Sequence, residues 1–557
     1  MPLTRLQKKG LFYALISIGA FVVFFLLWTT VAFWNFRGFF PDFIRLIGFP
    51  GSNRNYLVVF QDNNELRPTG GFIPFYGVIK FRHGIYTGFS IRSSFGKIAE
   101  KQNFDMPSSV ADLIGDKTYG FRDVNINPDF TVSVADLKSS FEDSFPSLPL
   151  DGVVAVNFRA MESLLALVDS IKVRGQEVTP QNFFSIISQN LSEEQSAGID
   201  KTIGSDFVHA LIRKTIVFVW NYGVVADVVR EALDEKDIMV HFKNSLLAKK
   251  ISGNKWDGQL IFPEAGDFVA WNMANFGGLK SDRYISRRVS YSVNVERTLE
   301  EAFTMRATLE VRLFHMGEVP YKGILKSYIP LESRIISKDA DTEDTYRNAH
   351  VFSKVIKLNP GQGMTIRYSY QLPDGIANTD AYSLFVSKQP GTRDDFVVFL
   401  NTPKEFLIAS TDFDVREHVA LAQTKLISDT HFSASFFTNP NPPLLTDTAL
   451  QGTDTIVLSF DRAIRAEDAI EGLNYQIRDL NTGTPALTDQ VFVKAIDYQD
   501  DRITLYLGGM SEQPNESYEL VLKNLRDRNG IFTEPDPLVV TLAQGHGYFD
   551  DIGGPQE

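Results

Sequence analysis

The chain contains no cysteine. That excludes disulfides, thiolate metal sites and a cysteine nucleophile, so stability must come from packed cores alone. Histidine is scarce and scattered, eight residues in 557, which argues against a histidine-based metal cluster. The signatures G-x-S-x-G, H-E-x-x-H, Walker A and G-x-G-x-x-G are all missing. So is any long basic run, and the formal net charge is −13. A sequence-independent nucleic-acid binder needs a positive field, so nucleic acid is not an expected partner. The same overall charge argues against docking to anionic lipid by charge.

What is present begins with an uncharged run. Gly10 to Phe36 carries no charged residue. At about 1.5 Å per residue it is long enough to cross a ~30 Å hydrocarbon core. Arg5, Lys8 and Lys9 precede it, and Trp28 and Trp34 lie toward its far end, where an aromatic belt belongs. The expectation is a single-pass protein of the cytoplasmic membrane, with residues 1–9 inside, 10–36 as an uncleaved anchor and the bulk extracytoplasmic. A cleaved signal peptide is the rival reading. The run is long for an h-region, and no small-x-small site follows it.

Beyond the anchor, residues 37–54 read as a stalk. Residues 55–255 mix strand signals (Tyr56–Phe60, Gly77–Phe81, Gly152–Asn157) with helical ones (Val132–Phe141, Ala160–Val168, Asp206–Leu233). That alternation predicts an α/β layered domain. From 256 to 440 period-two runs dominate and predict an antiparallel β-sandwich. A proline-rich linker, Asn439 to Pro443, leads to 447–543, whose strand spacing suits a small seven-stranded sandwich. Residues 544–557 are a glycine-rich tail, expected to be flexible.

Three segments are candidates for chemistry. The first is Gln61 to Phe72, at the C-terminal end of a predicted buried strand, where open α/β sheets bind ligands. Asp62, Asn63, Asn64 and Glu65 offer acceptors, Thr69 a hydroxyl, and Arg67 a planar fork suited to a phosphate. Gly70 and Gly71 allow close approach of backbone to a ligand. The plainer alternative is a connecting loop in which Arg67 pairs with Glu65 or Asp62. The second is Arg122 to Phe130, where Asp123, Asn125, Asn127 and Asp129 recur at every second residue. On an extended segment all four share a face, which suits Mg²⁺ or Ca²⁺. The alternative is a solvated edge with Asp129 as a helix N-cap. The third, Asn275 to Tyr284, reads as a turn joining two domains, with Lys280, Asp282 and Arg283 pairing among themselves.

Leu57 to Phe72 resembles the signature of the bacterial family called domain of unknown function 4012. Arg122-Asp123, Asn127 to Phe130, Pro149 to Val156 and Asn275 to Tyr284 resemble its later motifs. Leu150 to Asp169 is similar to a stretch of the LytR-CpsA-Psr proteins, and 447–543 resembles bacterial Ig-like domains. The LytR-CpsA-Psr resemblance implies an N-in anchor and an extracytoplasmic α/β domain that moves a glycopolymer from polyprenyl pyrophosphate to the wall with Mg²⁺. On that resemblance Arg67 and Arg122 clamp the pyrophosphate, and Asp123, with Asp62, holds the metal or activates the acceptor. Thr69 stands where that family has an aspartate, and Ser170-Ile171 where it has a glycine pair. A non-catalytic envelope protein binding wall glycan or a protein partner is the other expected function.

Overall fold

In the computed structural model the described residues are 42, 44–96, 98, 104–105, 110–111, 118–196, 202–217, 222–297, 303–377, 380–452, 454–479, 491–508 and 517–543. The expected anchor and the tail lie outside them. Among the described residues no helix is long and apolar enough to cross a membrane.

The first sheet is built from β1 (Asn53–Asp62), β2 (Phe72–Arg82), β3 (Ile85–Ser93), β4 (Gly152–Asn157) and β5 (Ile238–Phe242), in the order β3-β2-β1-β4-β5. Only β1 and β4 run parallel. Alternate residues of β1 enter different cores. Val58 and Phe60 pack with Phe75, Val154 and the helices α2 (Phe158–Ala166), α3 (Ile203–Val217) and α4 (Tyr222–Asp234). Leu57 and Val59 pack with Tyr76, Val153 and α1 (Phe130–Ser144) on the other face. A strand covered on both faces has no polar side to show, which is why Tyr56 to Phe60 is continuously apolar. Asp129 caps α1 through the Thr131 amide, and Asn157 caps α2 through Ala160. The expected helix over 206–233 falls on α3 and α4.

The second unit is a sandwich of two seven-stranded sheets around one large core. The first sheet contains β6 (Asp267–Asn275), β9 (Tyr321–Pro330) and β10 (Ala381–Ser387). The second contains β7 (Ile285–Arg297), β8 (Phe303–His315) and β11 (Asp394–Asn401). The expectation of a purely antiparallel sandwich is corrected in one respect. β6 pairs with β10 in parallel, and β7 with β11 likewise. These pairs are far apart in sequence, so no hairpin dictates their direction. The last unit packs a four-stranded and a three-stranded sheet around a separate core between residues 445 and 543.

The stalk expectation is also corrected. Leu46 and Ile47 are buried and pack with Tyr56, Phe81, Tyr86 and Leu247, so residues 44–54 form part of the α/β domain. A short apolar pair without periodicity gave no sign of this.

One carboxyl group lies inside the sandwich core. Asp267 Oδ2 accepts hydrogen bonds from the hydroxyls of Tyr291 (2.7 Å) and Tyr382 (2.6 Å), while Oδ1 has no partner. Burial pushes this acid up to about 7, with the two tyrosines opposing the shift. An unfolded aspartate loses its proton near ~3.9. Between about pH 4 and 7 the folded state therefore holds the extra proton, and stability falls as pH rises through that window. Asp267→Asn keeps an acceptor for both tyrosines and should flatten this slope in chemical denaturation. An unchanged slope would mean the proton is held elsewhere.

Candidate functional site

The parallel pair β1 and β4 ends at Gln61 beside Asn157. From there residues 63–71 loop back into β2. Gln61 Nε2 donates to the buried Thr69 hydroxyl at 3.0 Å. Asp62 Oδ1 accepts from the Asn64 amide (3.0 Å) and side chain (2.8 Å), an Asx turn that starts the loop. Asn63 Oδ1 is buried without a partner. Gly71 sits so tightly that a Cβ there would lie 2.4 Å from the Asp62 carbonyl carbon.

The tip of this loop does not face solvent. Arg67 is 5 % exposed. Its Nε donates to Asp123 Oδ1 at 2.9 Å, and Nη2 lies 2.8 Å from the same oxygen. Nη2 also donates to Glu65 Oε1 at 3.2 Å. Nη1 donates to the carbonyls of Leu66 (3.2 Å) and Asn275. Four of the five guanidinium N–H groups donate hydrogen bonds in these contacts, and the Asp123 and Glu65 carboxylates pair with its charge. The rings of Phe72 and Phe276 flank it, each centred 5.4 Å away. Burial alone would lower the Arg67 pKa, but Asp123 and Glu65 outweigh it and raise it. Burial raises the Glu65 carboxyl against the pull of Arg67.

The remaining partners come from the sandwich. The Leu66 amide donates to Asp282 Oδ2 (2.9 Å), and the Asn275 amide to the Leu66 carbonyl (2.9 Å). Asn272 Nδ2 donates to the Pro68 carbonyl at 3.1 Å, and Gln389 Nε2 to that of Arg67 at 3.3 Å. Lys280 Nζ forms an ion pair with Asp62 Oδ2, which also accepts from Ser188 Oγ at 2.8 Å. Asp62 is fully buried; burial alone would raise its carboxyl, but the Lys280 ammonium and the hydrogen bonds hold it below the usual range. Its contribution to stability is therefore present above about pH 4 and is lost as pH falls through the lowered folded value. Gly278, Leu279 and Lys280 have φ of +67°, +62° and +51°. Two non-glycine residues in the left-handed region cost of order 1–2 kcal/mol each, a strain held in place by the Lys280 contact.

Several expectations change here. Gly70 and Gly71 do admit close backbone, but it is the protein's own: a Cβ at Gly391 would lie 2.4 Å from the Gly70 carbonyl oxygen. Residues Phe121–Ile126 form a 3-10 turn, so Asp123, Asn125, Asn127 and Asp129 do not share one face. Asp123 faces Arg67, and Asn125 Nδ2 donates to the Gly71 carbonyl at 2.8 Å. Asn127 Oδ1 accepts from the Asp129 amide at 2.9 Å, and Asp129 caps α1 and pairs with Arg347 at 2.7 Å. Among the described residues no three acidic, histidine or cysteine side chains gather as a metal site. Arg122 does not join Arg67; it stacks on Phe95, 4.5 Å from the ring centre. Lys280, Asp282 and Arg283 do not pair among themselves, since Lys280 reaches Asp62, Asp282 reaches Leu66 and Arg283 lies over Phe184 at 3.9 Å. Asn272 and Gln389 escaped sequence reasoning. Only the Pro390-Gly391 turn beside Gln389 carried a local signal.

Residues 52–191 match a family model described as "Protein of unknown function (DUF4012)". No curated protein matches the chain. Among solved structures, the chain is similar to a Legionella pneumophila protein described as nutrient-binding, at 6% identity and TM-score 0.21, over 31% of this chain and 72% of that one. It is also similar to an M1 zinc metallopeptidase of Deinococcus radiodurans, at 11% and 0.17, over 32% and 48%. A third is the Lin1025 protein of Listeria innocua, at 11% and 0.15, over 41% and 87%. Scores this low carry no argument about fold or activity.

Lys280→Met leaves Asp62 as an unpaired buried carboxylate and should cost about 3–5 kcal/mol in chemical denaturation, while the double variant with Asp62→Asn recovers much of it. A Lys280→Met loss within about 0.5 kcal/mol, the range of an ordinary surface change, would contradict the ion-pair account.

Proposed function

We propose that this chain is a membrane-anchored, extracytoplasmic cell-envelope protein that acts as a structural and binding module for wall glycan or a protein partner. One observation carries this reading over the phosphotransferase one: Arg67 is buried, makes four hydrogen bonds within the protein and is paired with two carboxylates. Phosphoryl transfer depends on positive groups aimed at developing phosphate charge. An arginine buried against Asp123, Glu65 and two carbonyls is closed off from a pyrophosphate and already neutralised. Asp62, matched to Lys280, is equally unavailable as a base or metal ligand.

The LytR-CpsA-Psr-like reading fits the order of anchor, α/β layers and the strand-then-helix run through Leu150 to Asp169. In this proposal the chain keeps that architecture and has turned the loop's charges inward. The seven strands of the last unit, four against three, suit an Ig-like module serving as spacer or adhesive element. Fold-level analogy does not establish activity, so the weight rests on the Arg67 contacts.

The test uses the full chain in nanodiscs, offered purified wall-glycan fragments and polyprenyl pyrophosphate, each with Mg²⁺ or with chelator. Glycan binding that survives chelation, without capture of the pyrophosphate lipid, is the expected result. Mg²⁺-dependent capture of polyprenyl pyrophosphate, lost in an Arg67→Ala protein that still folds, would overturn the proposal in favour of the transferase.

A further inference from the structure

The edge of the first sheet opposite the Arg67 loop has a composition unlike the rest of this acidic chain. Residues 44–52 fold beneath it. The His83 amide donates to the Ser52 carbonyl at 2.8 Å, and the Gly51 amide to His83 Nδ1 at 3.0 Å. A Cβ on Gly84 would lie 2.9 Å from the Gly48 carbonyl oxygen, so the β2–β3 turn rests on this segment. Helix α5 (Ser245–Gly253) starts at the same edge, and its Leu247 packs with Leu46 and Ile47.

Three large apolar side chains turn outward here instead of joining that cluster: Phe49 (66 % exposed), Ile85 (67 %) and Leu246 (52 %). The segments that carry them also carry cations. Arg45 and Lys250 share the single carboxylate of Asp42. Arg82 Nη1 donates to the carbonyls of Phe81 and Arg54, and Lys243 is exposed. Arg54 is matched by Asp151 at 3.1 Å. Exposed apolar side chains on segments with an excess of Lys and Arg are the pattern of a surface lying in a lipid headgroup layer.

We propose that this edge rests on an anionic membrane surface, with Phe49, Ile85 and Leu246 at the headgroup level. The inference rests on reading residues 10–36 as the anchor. Phe36 precedes Asp42 by six residues, so the end of the span is within about 21 Å of this edge even if the link is fully extended. Seated this way, β1 points away from the bilayer, and its Arg67 end carries the sandwich outward.

The absence of cysteine makes the test clean. The full chain carrying Ile85→Cys, or Leu473→Cys as a control exposed on the last unit, is labelled with a polarity-sensitive dye. Each is reconstituted in phosphatidylcholine vesicles with and without phosphatidylglycerol, and first checked for resistance to alkaline carbonate. The expected result is a blue shift and headgroup-nitroxide quenching at position 85 only, stronger with phosphatidylglycerol and reduced by Arg82→Glu with Lys243→Glu. A carbonate-resistant chain whose position 85 stays as wet as 473 would overturn the docking. Equal signals in both lipids would overturn the anionic assignment. Extraction by carbonate would refute the anchor reading and remove the basis of the inference.

Discussion

Arg67 is buried where the end of β1, the 3-10 turn bearing Asp123 and the end of β6 come together, and the relation between the α/β layers and the sandwich depends on it. A guanidinium taken out of water is costly unless each donor finds an acceptor. Here acceptors come from three stretches of chain, Glu65–Leu66, Asp123 and Asn275. Moving any of them leaves a buried donor unpaired. The loop whose residue types suit a ligand thus behaves as a bolt between two domains.

Other buried charges repeat the arrangement along the same boundary. Lys236 Nζ pairs with Asp429 at 2.7 Å, both nearly inaccessible. Lys388 donates to the Glu235 carbonyl at 2.7 Å, and Arg393 pairs with the Glu235 carboxylate. Burial and the neighbouring cations lower Lys388 to about 8, with Asp237 and Glu235 opposing. Such pairs add little net stability, because desolvation offsets their attraction. They do make a shifted docking expensive, since each cation has one acceptor set in reach. The strained turn at Leu279 and Lys280 fits the same logic, with local cost accepted to deliver an ammonium to Asp62.

Much of the architecture was legible in the chain. The continuous apolar run of β1, the alternation of strand and helix to about 255 and the period-two runs beyond it appear as layers and sandwich sheets because periodicity reflects which faces are buried. The strand signals at Tyr56–Phe60 and Gly152–Asn157 fall within β1 and β4. Parallel pairing of β6 with β10 was not legible, because it joins segments over a hundred residues apart with no turn to specify direction. The site was half legible. A polar loop after a buried strand marked the place, and the pairing of Arg67 with Glu65 was among the readings its residue types allowed, whereas Asp123 was linked to Arg67 only through the LytR-CpsA-Psr resemblance. Lys280, Asp282 and Gln389 did not, since a buried partner from another domain leaves no trace in local spacing. An extended ladder at Asp123 to Asp129 failed because Phe121, Val124 and Ile126 are drawn into the core, which winds the segment into a 3-10 turn. The acidic net charge hid the basic residues of segments 44–54, 82–85 and 243–250, because a sum over the whole chain erases a local excess.

The central claim is that Arg67 couples two domains rather than serving a ligand. Differential scanning calorimetry of the wild-type chain and the Arg67→Ala variant tests it most directly. The account predicts that the α/β layers and the sandwich unfold together in wild type, and that the variant separates them into two transitions, the α/β one at lower temperature. An unchanged, still-coupled transition in Arg67→Ala would contradict it.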